Sequence, residues 1–110
     1  MKEIEYPKKR SEAEIQALLW YFLRKKKIDA RLHVVANRKK LDIVIFKDSR
    51  AVCIVECKSW SKNYSLVRRY RLNNSKQVNR YREMFGLPVI VCGRIQDITK
   101  VQGEIIKLTY

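Results

Sequence analysis

Asp42, Glu56 and Lys58 are the side chains of this 110-residue chain whose types and spacing could do chemistry together. Glu56 and Lys58 close the run Ala51 to Lys58, whose Ala-Val-Cys-Ile-Val core is apolar on both faces and predicts a central strand covered on both sides. Because strand side chains alternate, Glu56 and Lys58 fall on one face with Val52 and Ile54, and Cys53, Val55 and Cys57 on the other. Charges on a buried strand are costly unless they are paired or bind a metal. One reading is that the strand emerges into water at Glu56, since charged residues commonly sit at the surface. Asp42 offers another. It opens the preceding strand, thirteen residues separate it from Glu56, and a turn over Lys47 to Arg50 would lay the two strands side by side. Two converging carboxylates are unfavourable without a cation between them. Oxygen ligands of this kind suit Mg²⁺, with Mn²⁺ as a possible substitute, and Lys58 would stand beside the metal.

The elements that must position these groups can be read from periodicity and punctuation. Ser11-Glu12-Ala13-Glu14 is a capping-box pattern, and Ile15, Leu18, Leu19, Phe22 and Leu23 follow at helical spacing up to the basic run Arg24 to Lys27. The expectation is a helix over about Glu12 to Lys26. Strands are expected over Arg31 to Ala36, Leu41 to Phe46 and Ala51 to Lys58, with turns at Asn37 to Lys40 and Lys47 to Arg50. Val78, Tyr81 and Phe85 return to helical spacing from about Asn74, Gly86 and Pro88 supply a stop, and Leu87 to Cys92 reads as a fourth strand. A last short helix, with Asp97 near its start and an interruption at Gly103, is expected after Gly93. The order predicts one α/β domain over 1–110, a mixed sheet flanked by helices. Ser59 to Asn74 is polar and basic, and its pattern specifies no element.

Composition narrows the partners. Twenty-five Lys and Arg against eleven Asp and Glu give a net charge of +14, on a chain that is 46% hydrophobic and so predicted to be globular rather than a disordered basic tail. Such charge points to a polyanion, nucleic acid first and an anionic membrane surface second. The excess gathers at Arg24 to Lys27, at Arg38, Lys39 and Lys40, at Arg68, Arg69 and Arg71, and at Arg80 with Arg82, with Trp60, Tyr64 and Tyr70 among or near these clusters. Any one of them could be a solvated face. Together they suit a groove that follows a phosphate backbone. Arg68 to Arg71, in the segment just after Lys58, is expected at the mouth of the site. Cys53, Cys57 and Cys92 lie in apolar runs and read as buried thiols, not as a disulfide framework, and their spacing with the lone His33 does not suit zinc. His33 reads as a strand residue facing solvent. With no apolar run of spanning length and a charged Met1 to Arg10, the chain is expected to be cytoplasmic, with no membrane association. Trp20 falls off the apolar stripe of the first helix and is a candidate interface residue.

Leu41-Asp42, thirteen residues, then Glu56-Cys57-Lys58, set in the order helix, three strands, helix, strand, resembles the PD-(D/E)xK nuclease superfamily over about Ser11 to Cys92. Leu41 stands where the name-giving Pro would be. Gln77-Val78-Asn79-Arg80-Tyr81 is similar to the QxxxY motif of the RecB-type branch, on the corresponding helix. The resemblance implies a restriction-endonuclease-like αβββαβ core and a metal-dependent DNA nuclease, an endonuclease of DNA repair or recombination or of a mobile element. It implies that Asp42 and Glu56 ligate the metal with the backbone carbonyl of Cys57, that Lys58 positions or activates the attacking water or neutralises developing charge, and that Gln77 and Tyr81 support the active site and the DNA phosphate. Glu14 matches an auxiliary acidic residue of many members, but it is also the capping-box Glu, and Glu12 is the alternative acid. Tyr81 has a plain core reading as well. So small a core is expected to act as a homodimer or with a partner protein. A Holliday-junction-resolvase-like dimer and a non-catalytic nucleic-acid-binding module of the same fold are the alternatives; an RNA partner is less favoured than DNA.

Overall fold

The computed structural model describes residues 11–58 and 75–109. The polar segment with Arg68, Arg69 and Arg71, its aromatic neighbours Trp60, Tyr64 and Tyr70, and Met1 to Arg10 lie outside the described residues.

The first helix, α1, spans Glu12–Lys25. Ser11 caps it by accepting the Glu14 N–H at 3.1 Å, and Ile15, Leu19 and Leu23 are buried along one stripe. Its end is a Schellman turn: Lys27 takes a left-handed φ of 62°, its N–H bonds to Arg24 O, and the Ile28 N–H bonds to Leu23 O. Ile28 and Leu23 then enter the same core.

Three antiparallel strands follow, β1 (Asp29–Ala36), β2 (Lys39–Lys47) and β3 (Arg50–Cys57). Each strand is longer than its apolar run, because both connections are two-residue turns. Asn37 and Arg38 (φ 50° and 62°) make one, and Asp48 and Ser49 (φ 51° and 65°) the other. Positive φ at both central residues gives a turn whose twist matches that of the flanking strands. Lys39 and Lys40 therefore lie in β2, opposite Ala36 and Val35, and not in the turn expected from their charge. After the second helix, α2 (Lys76–Phe85), β4 (Val89–Cys92) pairs parallel to β3, completing a mixed sheet in the order β1-β2-β3-β4. A short 3₁₀ turn (Ile95–Asp97) leads into α3 (Ile98–Thr109). This last helix runs unbroken through Gly103, since Ile98, Val101 and Ile105 pack on the sheet and outweigh the weak helix propensity of one glycine.

Two cores lie on opposite faces of the sheet. On one face α1 and α3 cover Ile43, Ile45, Cys53, Val55, Cys57 and Cys92. On the other, Val78 and Tyr81 of α2 meet Leu41, Val44, Ile54, Val89 and Val91. The central strand is thus apolar on both faces, as its sequence predicts. Val52 departs from the expected alternation and packs with the α1/α3 core instead of with Ile54. The register explains this: Ile45 faces Cys53 and Phe46 faces Ala51, so Val52 is the extra residue of a β-bulge.

Trp20 is likewise not the free interface residue its helical position suggests. It packs against the α1/α3 core, and its indole N–H donates to Ala30 O at 2.9 Å, tying α1 to the start of β1. The exposed aromatics of α1 are its neighbours Tyr21 and Phe22. Among the described residues no helix is long and apolar enough to cross a membrane.

Candidate active site

Asp42 and Glu56 do come together. The β2–β3 ladder ends at Ile43 with Val55, and just beyond it Asp42 stands beside Glu56, its backbone N–H bonded to the Glu56 carboxylate. The Asp42 carboxylate is then fixed from β3: the Cys57 N–H donates to its Oδ2 at 2.8 Å. Its carbonyl is held from α1, where the Gln16 side-chain amide donates to Asp42 O at 3.1 Å. Gln16 was not singled out from the sequence, although a polar residue beside the apolar stripe of an amphipathic helix, four residues after Glu12, is the signal that could have found it.

Glu56 is 4% exposed, and its Oε1 has no hydrogen-bond partner among the described residues. Burial first, and the neighbouring Asp42 charge second, push its carboxyl up to about 7; the Asp42 backbone N–H and the Lys58 ammonium pull the other way without cancelling them. A buried carboxylate oxygen left without a donor costs free energy that a cation would recover. The donor set fits a divalent ion on that observation. Mg²⁺ is commonly held by one or two carboxylates, with water and substrate phosphate completing its shell, so the pair meets the requirement even though no group of three or more His, Cys, Asp or Glu converges among the described residues.

Lys58 follows β3 directly, its N–H bonded to Cys92 O. Its ammonium donates to Gln77 Oε1 at 3.2 Å, and the Gln77 amide in turn donates to the Tyr81 hydroxyl at 3.3 Å. One turn of α2 therefore reaches Lys58, because residues four apart share a helix face. Tyr81 serves two purposes: its ring is buried in the α2 core, edge-on to Phe85 at 6.1 Å, while its hydroxyl anchors Gln77. Ser75, whose hydroxyl accepts the Val78 N–H, starts α2, and Gly86 in the left-handed conformation (φ 63°) ends it.

Glu14 is placed at the helix cap, where its carboxylate accepts the Ser11 hydroxyl at 3.4 Å. Glu12 is exposed, and burial pushes the Cys57 thiol up, with the charges of Cys92, Asp42, Glu56 and lastly Glu12 adding to it. Among the basic residues, Arg38, Lys40 and Arg80 are exposed and Lys39 is half-buried. Arg82 is engaged structurally, donating to Asn79 Oδ1 and Val89 O at 3.0 Å each. His33 is exposed. All three cysteines are buried.

No protein-family model, curated protein or solved structure matches this chain.

Proposed function

We propose that the chain is a metal-dependent DNA nuclease with a restriction-endonuclease-like core of the PD-(D/E)xK type. The observation that carries this reading is the juxtaposition of Asp42 with a buried Glu56 whose Oε1 lacks a partner among the described residues, two residues before a lysine held by Gln77 and Tyr81. The described order, one helix, three antiparallel strands, a helix and a parallel strand, supports the fold half of the proposal.

Asp42 and Glu56 would hold Mg²⁺, or Mn²⁺ in its place, with the Cys57 carbonyl the third candidate ligand from this segment. Bound there, the ion would supply a Lewis acid for the phosphodiester and a more acidic water. The protein's own part is positional. The Cys57 N–H fixes Oδ2 of Asp42. Lys58 brings a positive charge to where the transition state gains negative charge, and its bond to Gln77 sets where that charge sits. Exposed Arg80, three residues after Gln77 on α2, and Arg38 and Lys40 at the tip of the β1–β2 hairpin are the phosphate-contacting groups within the described residues. Arg68, Arg69 and Arg71 belong to the same proposal from their sequence alone. DNA is the proposed substrate, and repair, recombination or mobile-element cleavage by a homodimer, a resolvase-like dimer included, or with a partner protein the proposed setting.

Relaxation of supercoiled plasmid in Mg²⁺ or Mn²⁺ tests the reading. Lys58→Ala should lower cleavage by about a hundredfold or more while leaving salt-sensitive DNA binding close to the parent's. Cleavage by Lys58→Ala at the parent's rate would overturn the assignment of this catalytic centre, whereas a parent that binds DNA without cutting it would leave a nucleic-acid-binding module.

A further inference from the structure

His33 is the one positive-φ residue that lies inside a strand among the described residues, with φ 52°; the other non-glycine cases sit in turns or at the end of α1. Its place in the ladder is specific. The β1–β2 register pairs Leu32 with Ile43 and then Val34 with Leu41, and the pair between them, His33 with Asp42, is missing. In a regular ladder Ala30, Leu32 and Val34, with their partners Ile45, Ile43 and Leu41, would all share one face of the sheet. They do not. Ala30, Ile43 and Ile45 pack in the α1/α3 core, whereas Leu41 and Val34 pack in the α2 core. The hairpin turns over at the step where His33 faces Asp42.

Asp42 is the residue at which the change of face takes effect in β2. Here the β2–β3 ladder has also stopped, and the Cys57 N–H is taken by the Asp42 carboxylate. Irregular backbone beside a functional group commonly serves to re-aim a side chain, and a left-handed residue persists in a strand only where its surroundings hold it there. Histidine is among the residues enriched at positive φ, and glycine and asparagine adopt it most readily.

We propose that His33 is a positioning residue for Asp42, acting through its left-handed backbone and not through its imidazole. The turn it makes in β1 sets the path of β2 so that the Asp42 carboxylate meets the Cys57 N–H and stands beside Glu56. As a statement about metal binding this rests on the assignment of Asp42 and Glu56 as ligands above. As a statement about where Asp42 points, it stands apart from that assignment.

The test compares substitutions that differ in their tolerance of positive φ. His33→Gly and His33→Asn keep the backbone and lose the imidazole; His33→Val disfavours the backbone strongly, and His33→Ala does so more mildly should the valine variant fold poorly. The first readout is the Cys57 amide in a ¹H–¹⁵N spectrum, since a charge-assisted bond to a carboxylate moves that proton downfield and slows its exchange. The second is Mn²⁺ affinity by calorimetry. The parent, His33→Gly and His33→Asn should share the Cys57 signal and bind Mn²⁺ alike. His33→Val and His33→Ala should lose the downfield signal, and His33→Val should bind at least about tenfold more weakly, the size expected when a group that orients a ligand is removed. The proposal is overturned if the valine and alanine variants keep both properties, or if His33→Gly loses them as fully as His33→Val does. Should the parent bind no Mn²⁺, the ligand assignment fails, while the Cys57 amide still decides the role of His33.

Discussion

The Lys58 ammonium lies 3.2 Å from Oε1 of Gln77, so a lysine that follows a central strand takes its position from a helix on the other side of a chain crossing. Lysine alone is a flexible point charge, and the bond to Gln77 limits where it can go. Gln77→Ala should therefore slow plasmid cleavage about tenfold or more without changing the midpoint of thermal unfolding appreciably, because Gln77 is exposed.

Tyr81 separates the two uses of its side chain. Tyr81→Phe removes only the hydroxyl that receives the Gln77 amide, and should slow cleavage less than Gln77→Ala while changing stability by under about 1 kcal/mol. Tyr81→Ala empties part of the α2 core and should cost about 3–5 kcal/mol. Urea unfolding beside cleavage rates distinguishes the two.

Glu56 makes stability depend on pH and metal in opposite senses. Its carboxyl is raised from an ordinary 4.5 to about 7 by burial and by Asp42, so between those values the folded protein holds more protons than the unfolded chain. The Glu56 contribution to stability must then fall as pH rises through that window and level off above it. Glu56→Gln should remove that component. Without metal at pH 8 the variant should melt above the parent, whereas Mg²⁺ should stabilise the parent and not the variant. Thermal melts at pH 5 and pH 8, with and without Mg²⁺, measure all of these.

Gly103 lies within α3, and apart from its own helix backbone no atom of the described residues comes within 4 Å of the position a Cβ would take. Gly103→Ala should stabilise the fold by about 0.5–1 kcal/mol, seen as a rise in Tm of a few degrees, with cleavage unchanged.

The residues that could be read from the sequence were those whose patterns are local. Ile15, Leu19 and Leu23 announce α1, Ala51 to Val55 announce a central strand, and Gly86 marks the end of α2. The meeting of Asp42 with Glu56 follows from those elements once they are set in order, whereas Gln77 enters only through the resemblance of its motif, and its bond to Lys58 depends on how α2 packs beside the end of β3. What could not be read depends on backbone choices that residue types only weakly encode. Arg38 and Ser49 adopt positive φ because their turns demand it, Val52 is extruded by a bulge, and at His33 the alternation that assigns one face to each strand reverses. Trp20 differs from its sequence expectation for a related reason: helical position says which way it leaves the helix, and not that Ala30 O waits there.

The two cores differ in what holds them. Among the described residues, two helices share the burial of the sheet on one face, whereas on the other α2 is fastened chiefly through Val78 and Tyr81. Cooperative opening proceeds from the element with least buried attachment. In native-state amide exchange, the α2 amides should thus lose protection before those of β2 and β3. A molecule caught in that partly opened form would keep Asp42 tied to Cys57 while Lys58 had lost its restraint: an intact carboxylate pair with its lysine swinging free.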